Sequence, residues 1–336
     1  MRNLLNKYKI PGQLKCETFT DPKKAKDFIL KLDSEVALKP IGLTGGKGVK
    51  VSGDHFNGIE EAMEYVNKVL DKKIGGKSKI LVEEKVIGEE FTLQAFSDGK
   101  TILPLHAVQD HKRLLQGDSG PNTGGMGSYS CDNGLLPFLN KSDYEEGAII
   151  LQKIVEALNK EGCPYIGAIY GQFMLTSDGP KIIEINARFG DPEAMNVLPL
   201  LDTDYVQLCK AMLKGNLDSK KIKMKKKSTV CKYVVPEGYG VKSVDGKIVY
   251  VDEEKIKDVG SQLFYASVNK MNNYITTTTS RSLAVVGISD DLGSAEDICE
   301  KALTHIKSDH IFIRHDIGKK DLIQKRIDHM NQIRGM

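Results

Sequence analysis

The sequence has no Cys-x-x-Cys pair. Its six cysteines, Cys16, Cys131, Cys163, Cys209, Cys231 and Cys299, stand singly with no recurring spacing. A disulfide framework is thereby excluded, and buried thiols in a reducing cytoplasm are the expectation. Long charge-free apolar runs are also missing, and the opening MRNLLNKYKIPG carries no apolar leader core. A cytoplasmic chain with no membrane partner is therefore expected. Charge of one sign is scarce: 48 Lys and Arg against 45 Asp and Glu leave +3, and the lysine run at 220–227 supplies more than that excess. The balance gives no basic footprint for nucleic acid, and the run reads as a solvated linker. There is no internal repeat and little low complexity, apart from a threonine run at 276–279 typical of an exposed strand. What is present, 336 residues with 40% hydrophobic and 28% charged side chains, suits a globular protein of two domains.

Helical periodicity appears at 22–32, 59–70, 143–159, 203–214 and 294–306, the fourth opened by Asp202 or Thr203 as a cap. Strand-like runs occupy 36–39, 49–52, 80–84, 91–97 and 102–108, and from Thr229 onward strands alternate with one late helix.

The segment GAIYGQFMLTSDGPKIIEIN, from Gly167 to Asn186, predicts two antiparallel strands about a Ser177-Asp178-Gly179 turn. A hairpin centred near Asp178 sets Gln172 opposite Glu184, with Asn186 on the face of Glu184. Three oxygen ligands then converge on a hard cation, Mg²⁺ or Mn²⁺, completed by water and substrate phosphates. An isolated Glu-x-Asn is more often the solvent face of an edge hairpin. Here, however, Arg188, Asp191 and Glu193 crowd the loop just beyond the strand end, where binding loops sit.

A second chemical signal is the strand carrying Lys39, followed by GLTGGKG with Gly45, Gly46, Lys47 and Gly48, and then VKVS. This is not a Walker A loop: the glycine spacing is one residue short, no Ser or Thr follows the lysine, and a strand comes next rather than a helix. A glycine hairpin between strands can instead fold over a triphosphate, with Lys39 on a phosphate oxygen. Alone it would read as a mobile hairpin. Next comes ILVEEKVIGEEFTL, in which Glu83, Glu84 and Glu90 can meet an adenine amino group and ribose hydroxyls. The connector backbone at Lys85 and Val86 would be free to imitate a base-pair edge.

This order of lysine strand, glycine hairpin, acidic connector and Glu-x-Asn hairpin resembles the ATP-grasp enzymes. QDHKR, GPNTGGMG and EINARFGDPE, with YVVPEGYG, FYASVNK, SRSLAVVG and FIRHDIG later, are similar to the phosphoribosylamine-glycine ligases of de novo purine synthesis, in a form reminiscent of archaeal members. The resemblance implies an α+β chain: an ATP-grasp fold, two α+β subdomains clasping ATP, followed by a smaller mixed α/β C-terminal domain. The corresponding boundaries are 1–219 with a lid subdomain at about 19–86, a linker at 220–228, and 229–336. It also implies that Asp110, Asn122, Thr123, Gly124, Gly125 and Met126 line a pocket for glycine and 5-phosphoribosylamine. Lys112, Arg188, Asp191 and Glu193 would be catalytic, and Gln172, Glu184 and Asn186 would hold the metals.

The implied reaction activates the glycine carboxylate as an acyl phosphate using ATP, and the amine of phosphoribosylamine then attacks it. Such chemistry needs positioning and charge neutralisation rather than a Ser or Cys nucleophile. The resemblance further implies a domain of roughly 100 residues ahead of Met1, with a sugar-phosphate loop and a first ATP-contacting lysine, encoded here or as a separate partner chain. A nucleotide-binding remnant without turnover, and an ATP-grasp ligase acting on another carboxylate, are the other two readings. GPNTGGMG argues against the last.

Overall fold

The computed structural model describes residues 1–42 and 48–335. They form two compact units, Gln13–Ile87, and Met1–Gly12 together with Gly88–Met336.

The smaller unit is one antiparallel sheet in the order Cys16–Phe19, Ile80–Glu84, Val36–Pro40, Lys50–Val51, covered by two helices. Pro22–Leu32 starts where Asp21 accepts hydrogen bonds from the amides of Lys23 and Lys24 and Pro22 takes the first helical position. Its Ala25 and Ile29, four apart, face inward with Ala62, Val66, Val69 and Leu70 of Gly58–Lys72. They meet Leu38, Ile80 and Val82, all fully buried, in a core confined to this unit. Burying each such aliphatic side chain contributes about 1.5 to 3 kcal/mol. The glycine-hairpin candidates Gly45, Gly46 and Lys47 lie outside the described residues.

In the larger unit a four-stranded antiparallel sheet runs in the order Gly179–Asn186, Ile166–Thr176, Glu89–Asp98, Ile102–Pro104. The helix Lys141–Lys160, opened by a reciprocal capping box between Asn140 and Asp143, buries Ile150, Leu151, Ile154 and Val155. These join the core formed with the sheet residues Phe91, Leu93, Ile169 and Phe173. A six-stranded sheet links Gln262–Tyr265, Leu283–Ser289, Ser228–Pro236, Gly127–Ser130 and Gln109–Asp110, with Ile311–Ile313 also paired to Ser228–Pro236. Because Ser228–Pro236 pairs with Gly127–Ser130, the strand that follows the lysine run belongs to the same compact unit as residues 88–219.

Several local expectations shift. The strand expected over 102–108 is Ile102–Pro104, with the Leu105 amide still donating to the Gln94 carbonyl and Val108 bridged to Thr92, and Gln109–Asp110 belongs to the six-stranded sheet. The helix expected to begin near 203 is Tyr205–Lys214, capped by Asp204, whose side chain accepts from the amide of Gln207. The helix expected to reach Ile306 is Leu292–Leu303, and Ile306 sits in a strand. The threonine run is exposed only at its end: Thr276 and Thr277 are 8% and 1% accessible, with Thr277 Oγ1 donating to the Val244 carbonyl, Thr278 is half-buried and Thr279 is exposed. Cys231 and Cys299 are buried thiols, while Cys163 is exposed, and no disulfide joins any of the six. Among the described residues no helix is long and apolar enough to cross a membrane.

Candidate active site

The hairpin pairs Gln172 with Glu184 and Tyr170 with Asn186. This pairing depends on a bulge: toward the turn Phe173 faces Ile182, so Ile183 is an extra residue that switches the strand from one face to the other. The adjacent isoleucines record it. Ile182 and Ile185 both pack against the core although they are three apart, and Glu184 and Asn186 point the other way. Gln172 is buried, and its amide nitrogen donates to Glu90 Oε2 at 2.7 Å, which orients the amide. Asn186 Nδ2 donates to Glu184 Oε1 at 2.8 Å, and Glu184 is exposed. One carboxylate flanked by two oriented amides fits a hard cation whose remaining positions are water and phosphate oxygen. No group of three or more His, Cys, Asp or Glu side chains able to hold a metal occurs among the described residues.

Glu90 also accepts from Lys112 Nζ at 2.6 Å. Burial works against its charge, but Lys112 and Gln172 together hold it below its ordinary value. Burial likewise opposes the charge of Lys112, and Glu90 and Asp110 outweigh it, so the ammonium is retained. Glu90, expected to meet the nucleotide, is thus engaged in holding a metal-ligand candidate and a catalytic candidate in place.

Asp110 stands at the end of Gln109–Asp110, and its Oδ1 is buried without a hydrogen-bond partner. Burial and the Glu193 carboxylate push its pKa well up. Glu193 is 3% exposed and is itself raised by burial, although Tyr170 donates to its Oε1 at 2.9 Å. Two carboxylates with weakened acidity, one bearing an orphaned oxygen, form an environment that welcomes a positive or proton-bearing group. The glycine loop lies against them. Thr123 is tied to the Lys112 carbonyl through both its amide and its hydroxyl, at 2.8 Å each. Gly125 has φ +112°, and a Cβ there would meet Pro192 at 2.7 Å and Asp110 Oδ1 at 2.8 Å. Asn122 and Gly124 are exposed, whereas Met126 is fully buried in the core, so only its backbone borders the loop. Arg188 is exposed and donates to the Phe189 carbonyl. Asp191 accepts from Tyr233 at 2.7 Å and from Arg281 at 3.0 Å.

In the smaller unit Lys39 forms an ion pair with the buried Glu83 of the neighbouring strand. Glu84 Oε1 accepts the Lys15 amide at 2.9 Å, and Tyr65 donates to the Gly48 carbonyl at 2.6 Å. The Lys85 backbone is not free as expected: its amide donates to the Glu35 carbonyl at 2.7 Å, and its Nζ binds Glu35 Oε2 and the Ser52 carbonyl.

Family comparison covers most of the chain. Residues 1–194 match the phosphoribosylglycinamide synthetase ATP-grasp (A) domain, and residues 229–320 match the C domain of the same enzyme. The chain belongs to the phosphoribosylglycinamide synthetase family. Within that family, the phosphoribosylamine-glycine ligases of Methanothermobacter thermautotrophicus and Methanopyrus kandleri are 51% and 50% identical to it over 99% of its length. The match spans 76% and 75% of those relatives. The crystal structure of phosphoribosylamine-glycine ligase from Thermotoga maritima superposes with a TM-score of 0.81 at 26% identity, covering 94% of this chain and 76% of that one. The biotin carboxylase domain of Hydrogenobacter thermophilus 2-oxoglutarate carboxylase shares the fold at 16% identity, with a TM-score of 0.69, over 98% of this chain and 68% of that one. An ATP-grasp fold is therefore established.

Two residues at the site had escaped sequence reasoning. Arg281 and Tyr233 lie 90 and 42 positions from Asp191, and each stands in a string, SRSLAVVG or KYVVPEGYG, with no motif spacing to the glycine loop. Only the six-stranded sheet brings them there.

Proposed function

We propose that this chain ligates glycine to 5-phosphoribosylamine at the expense of ATP, forming glycinamide ribonucleotide, ADP and phosphate in the cytoplasm. The observation that carries the reading is the glycine loop packed against two buried carboxylates of raised pKa, in a unit that also presents a one-carboxylate, two-amide hairpin. A glycine carboxylate oxygen attacks the γ-phosphorus of ATP, the bond to the β-bridging oxygen breaks, and ADP leaves. The amine of phosphoribosylamine then attacks the acyl carbon, phosphate leaves with the bonding pair, and the nitrogen sheds a proton.

Gln172, Glu184 and Asn186 would hold Mg²⁺, or Mn²⁺ in its place, which when bound neutralises phosphate charge. Lys39 serves the phosphates, and Glu84 and the Val86 backbone serve the adenosine. Exposed Arg188 neutralises the transferring phosphoryl group, and Lys112, fixed by Glu90, supplies a second cation. Glu193, protonated more readily than an ordinary carboxylate, takes up the proton released by the attacking amine. Asp110, Asn122, Thr123 and the Gly124-Gly125 backbone form the wall against the small substrates.

The test is ADP release with Mg²⁺, glycine and freshly generated phosphoribosylamine, omitting each in turn, with and without a separately expressed N-terminal domain from a relative. Release that needs both substrates supports the reading. A nucleotide-binding chain with no turnover in either format, or release driven by another carboxylate, overturns it.

A further inference from the structure

Arg281 is 14% exposed, and its guanidinium makes four hydrogen bonds, all to residues far away in sequence. Its Nη1 donates to the carbonyls of Gly124 at 2.9 Å, Gly125 at 3.2 Å and Asp191 at 3.0 Å. Its Nη2 donates to Asp191 Oδ2 at 3.0 Å. The guanidinium lies over the Tyr233 ring at 4.4 Å, and the Tyr233 hydroxyl donates to the other Asp191 oxygen at 2.7 Å. One planar cation thus joins two loops, 124–125 and 191, that share no backbone ladder.

We infer that Arg281 is a positioning residue for the amine and glycine substrates: it clamps the Gly124-Gly125 turn onto the Asp191 loop and fixes the substrate wall, without serving the nucleotide. The inference rests on the reading of that loop as the substrate wall. Three observations carry it. The turn has no side chains of its own: the Gly125 amide donates to the Thr123 hydroxyl at 3.1 Å, and the two carbonyls are held by Arg281. Gly125 approaches Pro192 and Asp110 closely enough that a Cβ would not fit, so the two loops must be held tightly together. The carboxylates of Asp110, Asp191 and Glu193 gather here, and Arg281 is the cation that touches both loops. The fork geometry matters: a lysine carries the charge but cannot reach three carbonyls and a carboxylate in one plane while stacking on Tyr233.

The experiment compares the wild-type chain with Arg281→Met and Arg281→Lys by two readouts. The first is amide hydrogen exchange over 119–128 and 187–194, with the strands of the 166–186 hairpin as internal reference. Exchange at least tenfold faster in both loops for Arg281→Met, with the hairpin unchanged, is expected; loops as protected as wild type overturn the clamp. The second is steady-state ADP release, in the format that supports turnover. The KM for glycine or phosphoribosylamine should rise at least tenfold while the KM for ATP stays within about threefold, and Arg281→Lys should recover only part of the loss. A fall in kcat with both substrate KM values unchanged, or full rescue by lysine, overturns the assignment. If the wild-type protein shows no glycine-dependent ADP release in any format, the ligase reading falls, and the exchange readout still judges the clamp.

Discussion

Glu184 and Asp110 are both acidic residues of the larger unit, yet their surroundings assign them opposite energetic roles. Glu184 is exposed and accepts a hydrogen bond from Asn186, so its removal disturbs little packing. Glu184→Ala should therefore leave urea stability within about 0.5 kcal/mol while metal-dependent ADP formation drops by about two orders of magnitude or more; unaltered turnover would refute the metal assignment. Asp110 is the reverse case. Burial and Glu193 raise its pKa, so the folded state holds its proton more tightly than the unfolded chain does. For an acid raised in this way, stability declines as pH climbs from the ordinary carboxylate value toward the raised folded one. An asparagine of the same shape does not titrate. Asp110→Asn should thus be about 1 to 2 kcal/mol more stable than wild type at pH 8, with the advantage vanishing below about pH 4, and inactive throughout. Urea unfolding at both pH values, with activity assays, decides it, and a destabilised variant at pH 8 would show that Asp110 is a structural partner instead.

At the scale of elements, the hairpin was the most legible part of the molecule because its information is local. A turn, alternating apolar residues and a Glu-x-Asn pair lie within twenty-odd positions and mark the hairpin, while the pairing of Gln172 with Glu184 also needs a bulge. The bulge at Ile183 was not read, although two successive isoleucines carry its trace. Elements whose partners are distant were harder. The segment from Ile102 leaves regular pairing after Leu105 and touches the same strand again at Val108, and Thr276 and Thr277 are buried because neighbouring strands cover them while Thr279 stays exposed. The substrate loop was recognisable as a string, but its anchoring was not, since Arg281 and Tyr233 reach it only through the fold. Gly125 shows how tight that anchoring is. Gly125→Ala combines a φ of +112° with contacts of 2.7 and 2.8 Å to the opposing loop and Asp110. The expected cost is about 1 to 3 kcal/mol of stability. The KM for glycine should rise and nucleotide affinity should be preserved, and a variant with wild-type glycine kinetics would mean that the loop does not border the substrate.

At the scale of the larger unit, the least legible feature is a buried ionic hub around Asp118. Its Oδ1 accepts from Arg314 at 2.8 Å and faces His111 Nδ1 at 3.2 Å, and its other oxygen meets Arg326. Arg314 is fully buried and also holds Asp316, while Arg326 reaches Glu89, which His329 binds at 2.6 Å. The helix Lys320–Arg334 is thereby fastened to the strand Glu89–Asp98, whose Glu90 in turn steadies Gln172 and Lys112. These partners lie about 200 positions apart, beyond any sequence window. Burial alone would favour neutral Asp118, but His111 and the two arginines override it and hold the carboxyl well below its usual range. A carboxylate lowered in this way contributes stability that is fully present above the ordinary value and lost as pH falls through the folded one. Asp118→Asn leaves Arg314 with Asp316 and Arg326 with Glu89 as their remaining carboxylates, so a loss of about 1 to 3 kcal/mol at pH 7 is expected. Because wild type itself forfeits this contribution in acid, the gap between the two proteins should narrow as pH drops below about 4. Urea unfolding at pH 7, 5 and 3 measures it: a gap that stays constant across that range would mean that shape rather than charge holds the C-terminal helix in place.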